Sequence, residues 1–475
     1  MAQKPSLPQG TRDFGPLVVQ RRKYLLHTIE SVFKKYGFMP LETPSMEQLS
    51  TLTGKYGDEG DQLLFKILNT GDYFKKLIEH QEKGMGHEEF DKTFLPSFDN
   101  KIANLDPKIS LPFIAEKGLR YDLTVPFARY VAMNRNDITF PFKRYQMQPV
   151  WRADKPQKGR YREFWQCDAD VVGSNSLLNE AELLKMYDEV FDKLGLPVII
   201  KINNRKLLSA LASVVNAEDK FQAITVAIDK LDKIGISGVQ TELEKSGLSS
   251  VQTEKILSFL QIKKGPDQLL QIEGILGGNE EGALGILELK EVLKTLAILR
   301  SKNEVAIDVT LARGLSYYTG AIVEVQSNLG SLKSSIGGGG RYDNLTGIFG
   351  LDGISGVGVS FGLDRIYDIM DELGLFPENL KGNDTQILFC YFDEECRTKA
   401  IELCANVREA GIAAEVYPEV TKKIGKQLDY ANKLKIGFAC IIGSNEIANN
   451  KFNLKNLVSG QQIEVSPDEL IAQLS

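Results

Sequence analysis

The sequence predicts an α+β protein in which an antiparallel sheet is interrupted by a helical module and followed by a small α/β domain. Three observations support this fold class. Alternating polar and apolar residues predict strands between 119 and 173 and again between 305 and 361. A highly charged stretch with helical spacing, from about 178 to 300, separates these regions. Residues 385–475 alternate short strands with helices, which is typical of a small mixed-sheet domain.

Composition limits the classes of protein to which the chain can belong. At 475 residues it is too long for one ordinary core. A net charge of −6 excludes a generally basic nucleic-acid binder but leaves room for a local basic patch. We find neither an apolar run of membrane-spanning length nor an N-terminal signal core, and we expect no membrane partner. The five scattered cysteines form no CxxC pair, so we expect reduced cytoplasmic thiols and no zinc site.

The N-terminal elements can be predicted from residue spacing. Apolar residues recur at helical spacing over 17–37, and Gly37 is a plausible C-cap. Residues 38–44 are predicted to be extended. The stretch 71–118 is rich in Gly, Lys, Glu, Asp and Pro without a clear period, which indicates a surface insertion to which we assign no function. A strand, a helix and two strands around a charged loop are predicted over 119–173.

The remaining elements follow the same logic. Strands are predicted at 305–325 and 356–361, with a glycine cluster at 337–340 between them, and a helix follows over 363–373. In the final domain we predict strands at 386–392, 413–417 and 438–443, helices near 395–410 and 423–435, and two short strands joined at 459–460. The last helix opens with Ser466 as N-cap and Glu469 completing a capping box.

These patterns divide the chain into five parts. We predict a first segment of the antiparallel-sheet domain over 1–177, which carries the surface insertion, and a helical insertion over 178–300. A second segment of the sheet domain follows over 301–372, then a linker over 373–384 and a C-terminal domain over 385–475.

The hairpin predicted at 142–173 is the most informative segment. Strand alternation places Arg144, Gln146, Gln148 and Arg152 on one face, and Phe164, Gln166, Asp168 and Asp170 on one face of the second strand. The intervening loop carries Lys155, Lys158, Arg160 and Arg162. One interpretation is a hairpin with a solvated polar face. The other is an anion site, because guanidinium groups match phosphate oxygens in bidentate fashion.

Three further segments could carry chemistry. LARGLSYYTG (311–320) places two tyrosines on opposite faces of a strand, or is an ordinary edge strand. The four glycines of 336–345 form either a flexible turn or a close approach of backbone to ligand. In GVGVSFGLDRI (356–366), Arg365 falls in the first helical turn, where the helix dipole opposes a cation by about 0.3–1 kcal/mol. A ligand phosphate, an aromatic ring or a neighbouring carboxylate would offset that cost.

Together these segments resemble the signature motifs of class II aminoacyl-tRNA synthetases, and specifically of the histidyl-tRNA synthetase family. GFMPLETP (37–44) resembles the first motif, 142–173 the second and 356–366 the third. LARGLSYYTG and LRYDLTVPFARY (119–130) resemble segments found in the histidyl enzymes. No GxxxxGK[ST] loop is present, so a P-loop nucleotide site is excluded. Ser316 departs from the family pattern, which usually has an aspartate there.

The resemblance implies a role for each matching residue. Arg152 and Arg313 would be catalytic, and ATP would bind through Arg152, Arg160, Phe164 and Arg365, with Phe164 and Arg365 on either side of the adenine. Arg160 would contact either the outer phosphates of ATP or the acceptor end of the tRNA. Histidine would be held by Asp122, Thr124, Gln166, Asp170, Arg313, Tyr317 and Tyr318. The C-terminal domain resembles an anticodon-binding domain. Its lysines Lys422, Lys423 and Lys426 would contact tRNA(His), although a solvated helix face would look the same.

The activity implied is that of a cytoplasmic, homodimeric ligase. It would use ATP with Mg²⁺ to convert histidine into histidyl-adenylate and then into histidyl-tRNA. Two alternatives remain. A catalytically silent regulatory relative that senses histidine or tRNA is disfavoured, because Arg152, Arg313 and Arg365 are all present and the C-terminal domain is retained. A sister class II enzyme for another amino acid is disfavoured by the tyrosine pair and by LRYDLT.

Overall fold

The computed structural model describes residues 4–55, 57–71, 114–312 and 317–474. Most of the predicted 71–118 insertion therefore lies outside the described residues, as do Arg313 and Ser316. The chain divides into two compact units, which are described separately. The larger comprises Met1–Arg12 with Tyr24–Leu375, and the smaller comprises Asp13–Lys23 with Phe376–Ser475. The division at 375 falls inside the predicted linker.

An eight-stranded sheet forms the centre of the larger unit. Its strand order is β1-β5-β6-β11-β10-β9-β7-β8, and neighbouring strands are antiparallel except for the two parallel outer pairs, β1 with β5 and β7 with β8. The strands span Met39–Pro40 (β1), Phe142–Trp151 (β5), Glu163–Val172 (β6), Ile199–Asn204 (β7), Glu304–Ile307 (β8), Ala321–Gln326 (β9), Gly337–Arg341 (β10) and Gly356–Gly362 (β11). A three-stranded sheet is formed by Met46–Gln48 (β2), Lys66–Ile67 (β3) and Lys117–Leu119 (β4).

Helices flank this sheet, and the chain that connects β7 to β8 is also helical. They span Pro16–Lys35 (α1, in this unit from Tyr24), Leu49–Leu52 (α2), Gly57–Gln62 (α3), Thr124–Met133 (α4), Leu178–Lys193 (α5), Arg205–Val214 (α6), Phe221–Asp229 (α7), Leu231–Lys245 (α8, interrupted at Gly235), Ser250–Leu260 (α9), Gln268–Leu276 (α10), Glu280–Leu299 (α11) and Leu363–Glu372 (α12). Short 3₁₀ turns span Glu218–Lys220 and Leu345–Phe349. None of the described helices is both long and apolar enough to cross a membrane.

Three parts of this architecture differ from the sequence prediction. The strand predicted at 305–325 is two separate strands, β8 and β9, which lie on either side of β7. The described residues between them, 308–312 and 317–320, belong to no strand, so Tyr317 and Tyr318 do not lie on opposite faces of one. The predicted helical insertion at 178–300 includes β7, a strand of the central sheet, so the helical stretch proper begins with α6 at Arg205. The glycine cluster at 337–340 is neither a flexible turn nor a loop. It forms strand β10, which pairs with β9 on one side and with β11 on the other. The low strand propensity of glycine does not predict a strand at this position.

An aromatic cluster packs helices α1 and α5 against the back of the sheet. The ring of Phe361 on β11 lies 4.5 Å from Tyr187 and 5.8 Å from Phe191, both on α5. It also lies 5.7 Å from Phe33 on α1. All four side chains are fully buried. Because one face of the sheet is sealed in this way, the polar residues of β5 and β6 are directed to the opposite face.

The smaller unit confirms the predicted alternation of strands and helices. Its five-stranded sheet has the order β13-β12-β14-β15-β16, with β12 parallel to both β13 and β14 and the remaining pairs antiparallel. The elements are Ile387–Tyr391 (β12), Glu394–Glu409 (α13), Ala414–Val416 (β13), Ile424–Lys433 (α14), Phe438–Ile442 (β14), Ser444–Asn449 (α15), Phe452–Asn456 (β15), Gln462–Val465 (β16) and Pro467–Leu474 (α16). The predicted capping box is present, since the backbone N–H groups of Ser466 and Glu469 each donate to the other's side chain.

Candidate active site

The hairpin of β5 and β6 places its polar side chains on one face, as the alternation predicted. Register pairs Arg144 with Asp170, Gln146 with Asp168 and Gln148 with Gln166. This face is not solvated. The side chain of Arg144 is fully buried and both aspartates are only 2% exposed. Burial on this scale excludes the interpretation of a hairpin with a solvated face.

A cavity of about 510 Å³ opens at one end of this buried face. Its size is within the range of small-molecule sites. Its walls come from β6, β9, β10 and β11, from the loop after β5 and from the start of α12. Of the residues predicted to form the site, those that line it are Arg152, Arg160, Phe164, Gln166, Tyr318 and Arg365.

Three guanidinium groups converge on this cavity, from Arg152, Arg160 and Arg365. Burial lowers the pKa of Arg365, and the positive charges of Arg152 and Arg160 lower it further. Nearby Asp154 and Glu324 act in the opposite direction but do not cancel this effect. Because the three guanidinium groups repel one another, this part of the cavity has a positive electrostatic potential. A bound polyanion is the ligand that such a potential stabilises best.

Backbone and aromatic contacts fix two of these guanidinium groups. Arg152 donates from Nε to the carbonyl of Tyr121 at 3.0 Å, and its guanidinium lies 4.2 Å from the centre of that residue's ring. The ring of Phe164 lies 5.2 Å away. Arg365 donates from Nε to the carbonyl of Gly159 and from Nη1 to that of Ser335, both at 2.7 Å. The side chains are therefore held in place before any ligand arrives.

Neighbouring groups offset the unfavourable effect of the helix dipole on Arg365, which lies near the start of α12. The preceding residue, Asp364, is a carboxylate in the first turn, where the helix dipole favours negative charge. It accepts a hydrogen bond from the backbone N–H of Trp165 at 2.8 Å and pairs with Arg12. The two carbonyls that accept from Arg365 stabilise the cation directly.

Beneath the cavity wall lies a group of buried acidic residues. Asp170 accepts a hydrogen bond from the hydroxyl of Tyr342 at 2.5 Å, and Arg144 Nη2 lies 2.9 Å from its other oxygen. Asp122 accepts from the backbone N–H of Val125 at 3.1 Å and from the hydroxyl of Tyr317 at 3.3 Å. These contacts hold the two carboxylates in fixed positions. They also occupy carboxylate oxygens that the sequence prediction expected to bind histidine.

The structure thus divides the predicted histidine pocket. Gln166 and Tyr318 line the cavity, whereas Asp122, Thr124, Asp170 and Tyr317 are not among its lining residues. Arg313 lies outside the described residues. The assignments of all these residues to histidine remain predictions.

Asp168 is a residue to which the sequence prediction gave no role. It lies between Gln166 and Asp170 on the polar face of β6 and is 2% exposed. Burial, and after it the nearby carboxylates, raise its pKa to about 7, although Arg144 and the neighbouring Ser360 hydroxyl lower it. The strand alternation had already placed this carboxylate on the polar face, and that pattern could have identified it.

Glycines allow the strands under the cavity to pack closely. A Cβ on Gly339 would lie 2.1 Å from the carbonyl oxygen of Gly358, and a Cβ on Gly358 would lie 2.0 Å from Asp170 Oδ1. Gly339 lines the cavity. The glycine cluster therefore does bring backbone to the cavity wall, but as part of a strand.

In the smaller unit, the predicted lysines lie at the start of α14. Lys422, Lys423 and Lys426 are all exposed, and Lys426 pairs with Glu419 at 2.8 Å. Within the described part of the chain, no cluster of His, Cys, Asp or Glu could hold a metal ion. The five cysteines are free and buried.

Comparison with known proteins gives a consistent result. Residues 115–366 match the family model described as histidyl-tRNA synthetase, and 381–475 match an anticodon binding domain. A histidine--tRNA ligase of Phocaeicola vulgatus is 51% identical over 99% of both chains, and one of Bacteroides fragilis is 50% identical over the whole of both. The crystal structure of histidyl-tRNA synthetase from Nostoc sp. PCC 7120 superposes with a TM-score of 0.78 at 33% identity, covering 99% of this chain and 100% of that one.

Proposed function

The chain belongs to the histidyl-tRNA synthetase family, and on that premise we propose that it activates histidine with ATP and transfers the histidyl group to tRNA(His). AMP and pyrophosphate are the other products. The observation that carries this proposal is a single cavity lined by Arg152, Arg160 and Arg365 together with Phe164 and Gln166. Such a cavity can take a nucleotide at its cationic end and an amino acid beside it.

ATP binds at the cationic end in this proposal. Arg152 contacts the α-phosphate and Arg160 the outer phosphates, while Phe164 and Arg365 lie on either side of the adenine. Stacking of a guanidinium on an aromatic ring contributes about 0.5–2 kcal/mol. Arg313 acts on the α-phosphate or on the substrate carboxylate, as the family resemblance implies.

Histidine lies beside the nucleotide. Asp122, Thr124 and Gln166 hold its α-amino group, and Asp170 with Tyr317 and Tyr318 recognises the imidazole. The buried positions of Asp122 and Asp170 support a role in which they also shape the wall of the pocket. Sites that hydrogen-bond a polar group of the substrate can reject analogues lacking it by about 10⁴–10⁵.

The chemistry requires placement more than proton transfer. The carboxylate of the amino acid is already a nucleophile near neutral pH, so no general base is needed. What accelerates the reaction is in-line approach to the α-phosphorus and stabilisation of the charge that develops there. The guanidinium group of Arg152 supplies that stabilisation from a position that it holds in advance, and Arg365, fixed in the same way, places the adenine.

We also propose the partners and setting of the reaction. Mg²⁺ enters with ATP as part of the substrate complex, and no zinc takes part. Lys422, Lys423 and Lys426 contact tRNA. The protein acts in the cytoplasm as a homodimer, to which the exposed apolar side chains of Met39 and Met46, 51% and 55% exposed, would contribute.

Pyrophosphate exchange with ATP, run against each amino acid separately, tests the proposal. We expect exchange with histidine alone. Exchange with no amino acid would favour the silent regulatory relative, and exchange with threonine, proline or glycine alone would favour a sister enzyme. The variant Arg313→Ala should lose exchange by orders of magnitude while melting at an unchanged temperature.

A further inference from the structure

A short chain of polar contacts runs through the cavity wall from Gln166 to Asp168 by way of Ser360. Ser360 on β11 lies directly opposite Asp168 on β6 in the strand register. Gln166 Nε2 donates to Ser360 Oγ at 2.8 Å. The hydroxyl of Ser360 accepts this bond, so its single proton is left to face the Asp168 carboxylate opposite, and the interaction with Ser360 lowers the pKa of Asp168.

This chain fixes which end of the Gln166 carboxamide faces outward. Because the Nε2 end is held by Ser360, the Oε1 end points away from that bond. Gln166 Oε1 is buried and accepts no hydrogen bond from any described residue, yet Gln166 lines the cavity. A buried acceptor with no donor is costly, by about 1–3 kcal/mol, unless a ligand satisfies it. A ligand that donates an N–H or an O–H satisfies it.

The surroundings of Asp168 favour a cationic donor. Asp168 faces Arg144 and, more remotely, Arg120 as positive groups, and Asp170 and Asp122 as negative ones. Asp168 Oδ1 accepts no hydrogen bond from any described residue. At this end of the site three carboxylates lie near two guanidinium groups, so negative charge is in excess. At the opposite end the three guanidinium groups that line the cavity put positive charge in excess.

We propose that Asp168 and Ser360 are positioning residues that orient the Gln166 carboxamide, so that its oxygen accepts a hydrogen bond from the α-ammonium group of the amino-acid substrate. The negative charge of Asp168 further favours that ammonium group. The inference rests on the proposed function, in which Gln166 holds the α-amino group. It assigns roles to two residues that do not themselves contact the reacting atoms.

The arrangement has a consequence for pH. With the pKa of Asp168 raised to about 7 in the free protein, a fraction of the molecules carry a neutral Asp168 near neutral pH. A bound ammonium group favours the charged form, so its contribution to affinity is largest above the raised pKa and declines as pH falls through it. The positive charges of Arg144 and Arg120 act to lower the pKa of Asp168, and the negative charges of Asp122 and Asp170 act to raise it.

Equilibrium binding of two ligands isolates this effect. Histidine and its deaminated analogue 3-(imidazol-4-yl)propionate share the imidazole and the carboxylate, so the ratio of their affinities reports the ammonium group alone. The ammonium group of histidine lowers the pKa of its own imidazole, so each affinity is corrected for the separately measured titration of the free ligand before the ratio is taken. The ratio is measured by calorimetry on the full chain, for the wild type and for Ser360→Ala and Asp168→Asn, at several pH values between about 6 and 8 around the raised pKa.

We expect the affinity ratio to fall about tenfold in both variants, which is the usual effect of one charge-assisted hydrogen bond, while the analogue binds as before. In exchange assays the KM for histidine rises, and kcat and the KM for ATP change less than about twofold. The ratio should increase with pH in the wild type and be flat in Asp168→Asn. An unchanged ratio in both variants, or equal weakening of both ligands, would overturn the proposal.

A matched control separates positioning from general loss of structure. Ser327 is a buried serine just after β9 in the same sheet, and its hydroxyl donates to the carbonyl of Pro197 at 3.2 Å. Ser327→Ala should leave the affinity ratio and its pH dependence unchanged. If the wild type binds no histidine and shows no exchange, the proposed function itself fails. If it does both while the variants match it, only the roles of Asp168 and Ser360 fail.

Discussion

Replacing Arg160 by alanine tests the cationic end of the cavity with little effect on the fold. The Arg160 side chain is 48% exposed, and the ion pair that it forms, with Asp154, is long at 3.6 Å. An exposed pair of this kind contributes about 0–1 kcal/mol to stability. By contrast, one charge-assisted contact with a phosphate contributes about 1.5–3 kcal/mol, and the exposure of Arg160 places it near the lower limit.

We therefore expect Arg160→Ala to raise the KM for ATP by about tenfold, since about 1.4 kcal/mol corresponds to a factor of ten. The assay is histidine-dependent pyrophosphate exchange without tRNA. Lys155→Ala is the matched control, because it removes one positive charge from the same exposed loop but does not line the cavity. It should leave the KM for ATP unchanged.

One outcome would refute this reasoning. If Arg160→Ala exchanges pyrophosphate with the KM of the wild type but aminoacylates tRNA poorly, the side chain meets the acceptor end of the tRNA and not the nucleotide. An equal rise in Lys155→Ala would show that the loop acts through general electrostatic attraction, not through a defined contact. A lowered melting temperature would indicate a structural role that the exposed position does not predict.

Three other predictions concern the sheet and the smaller unit. Gly358→Ala should lower the free energy of unfolding by about 1–3 kcal/mol, since its Cβ would lie 2.0 Å from Asp170 Oδ1; an unchanged denaturant midpoint would contradict this. Glu180→Gln removes the charge that Arg341 pairs with at 2.6 Å in the core, and we expect a loss of about 3–5 kcal/mol by chemical denaturation. Replacing Lys422, Lys423 or Lys426 singly by alanine should flatten the dependence of log tRNA affinity on log salt by about one unit or slightly less; the slope of the wild type would contradict a phosphate contact.

Much of the fold follows from local patterns in the sequence. The helices α1 and α12 and the final domain were predictable because their apolar spacing, caps and turn residues agree with the packed structure. Strand β7 was not, because Ile199–Asn204 lies between two helices and its place in the sheet depends on β8 and β9, which are far away in sequence. Strand β10 was missed because four glycines carry no strand signal. Pairing with β9 and β11 holds these residues in a strand, and glycine is required there because a Cβ on Gly339 or Gly340 would meet the carbonyl oxygen of Gly358 or Ala321.

The sequence could predict which polar residues share a face of the sheet, but not which of them reach the cavity. Alternation on β5 and β6 placed Gln166, Asp168 and Asp170 on one face, and register then paired them with their partners. The pattern could not reveal that the cavity reaches Gln166 whereas Asp170 lies beneath the wall, bonded to Tyr342. That division depends on contacts with β10 and β11, which the sequence separates from β6 by more than the whole helical stretch.

The most direct test is a crystal structure of the protein with a non-hydrolysable analogue of histidyl-adenylate. We predict that its adenine lies between Phe164 and Arg365, its phosphate-like group lies within hydrogen-bond distance of Arg152, and its ammonium group lies within hydrogen-bond distance of Gln166 Oε1. An analogue bound outside the cavity, or one bound in it without contact to any of the three guanidinium groups, would contradict the account.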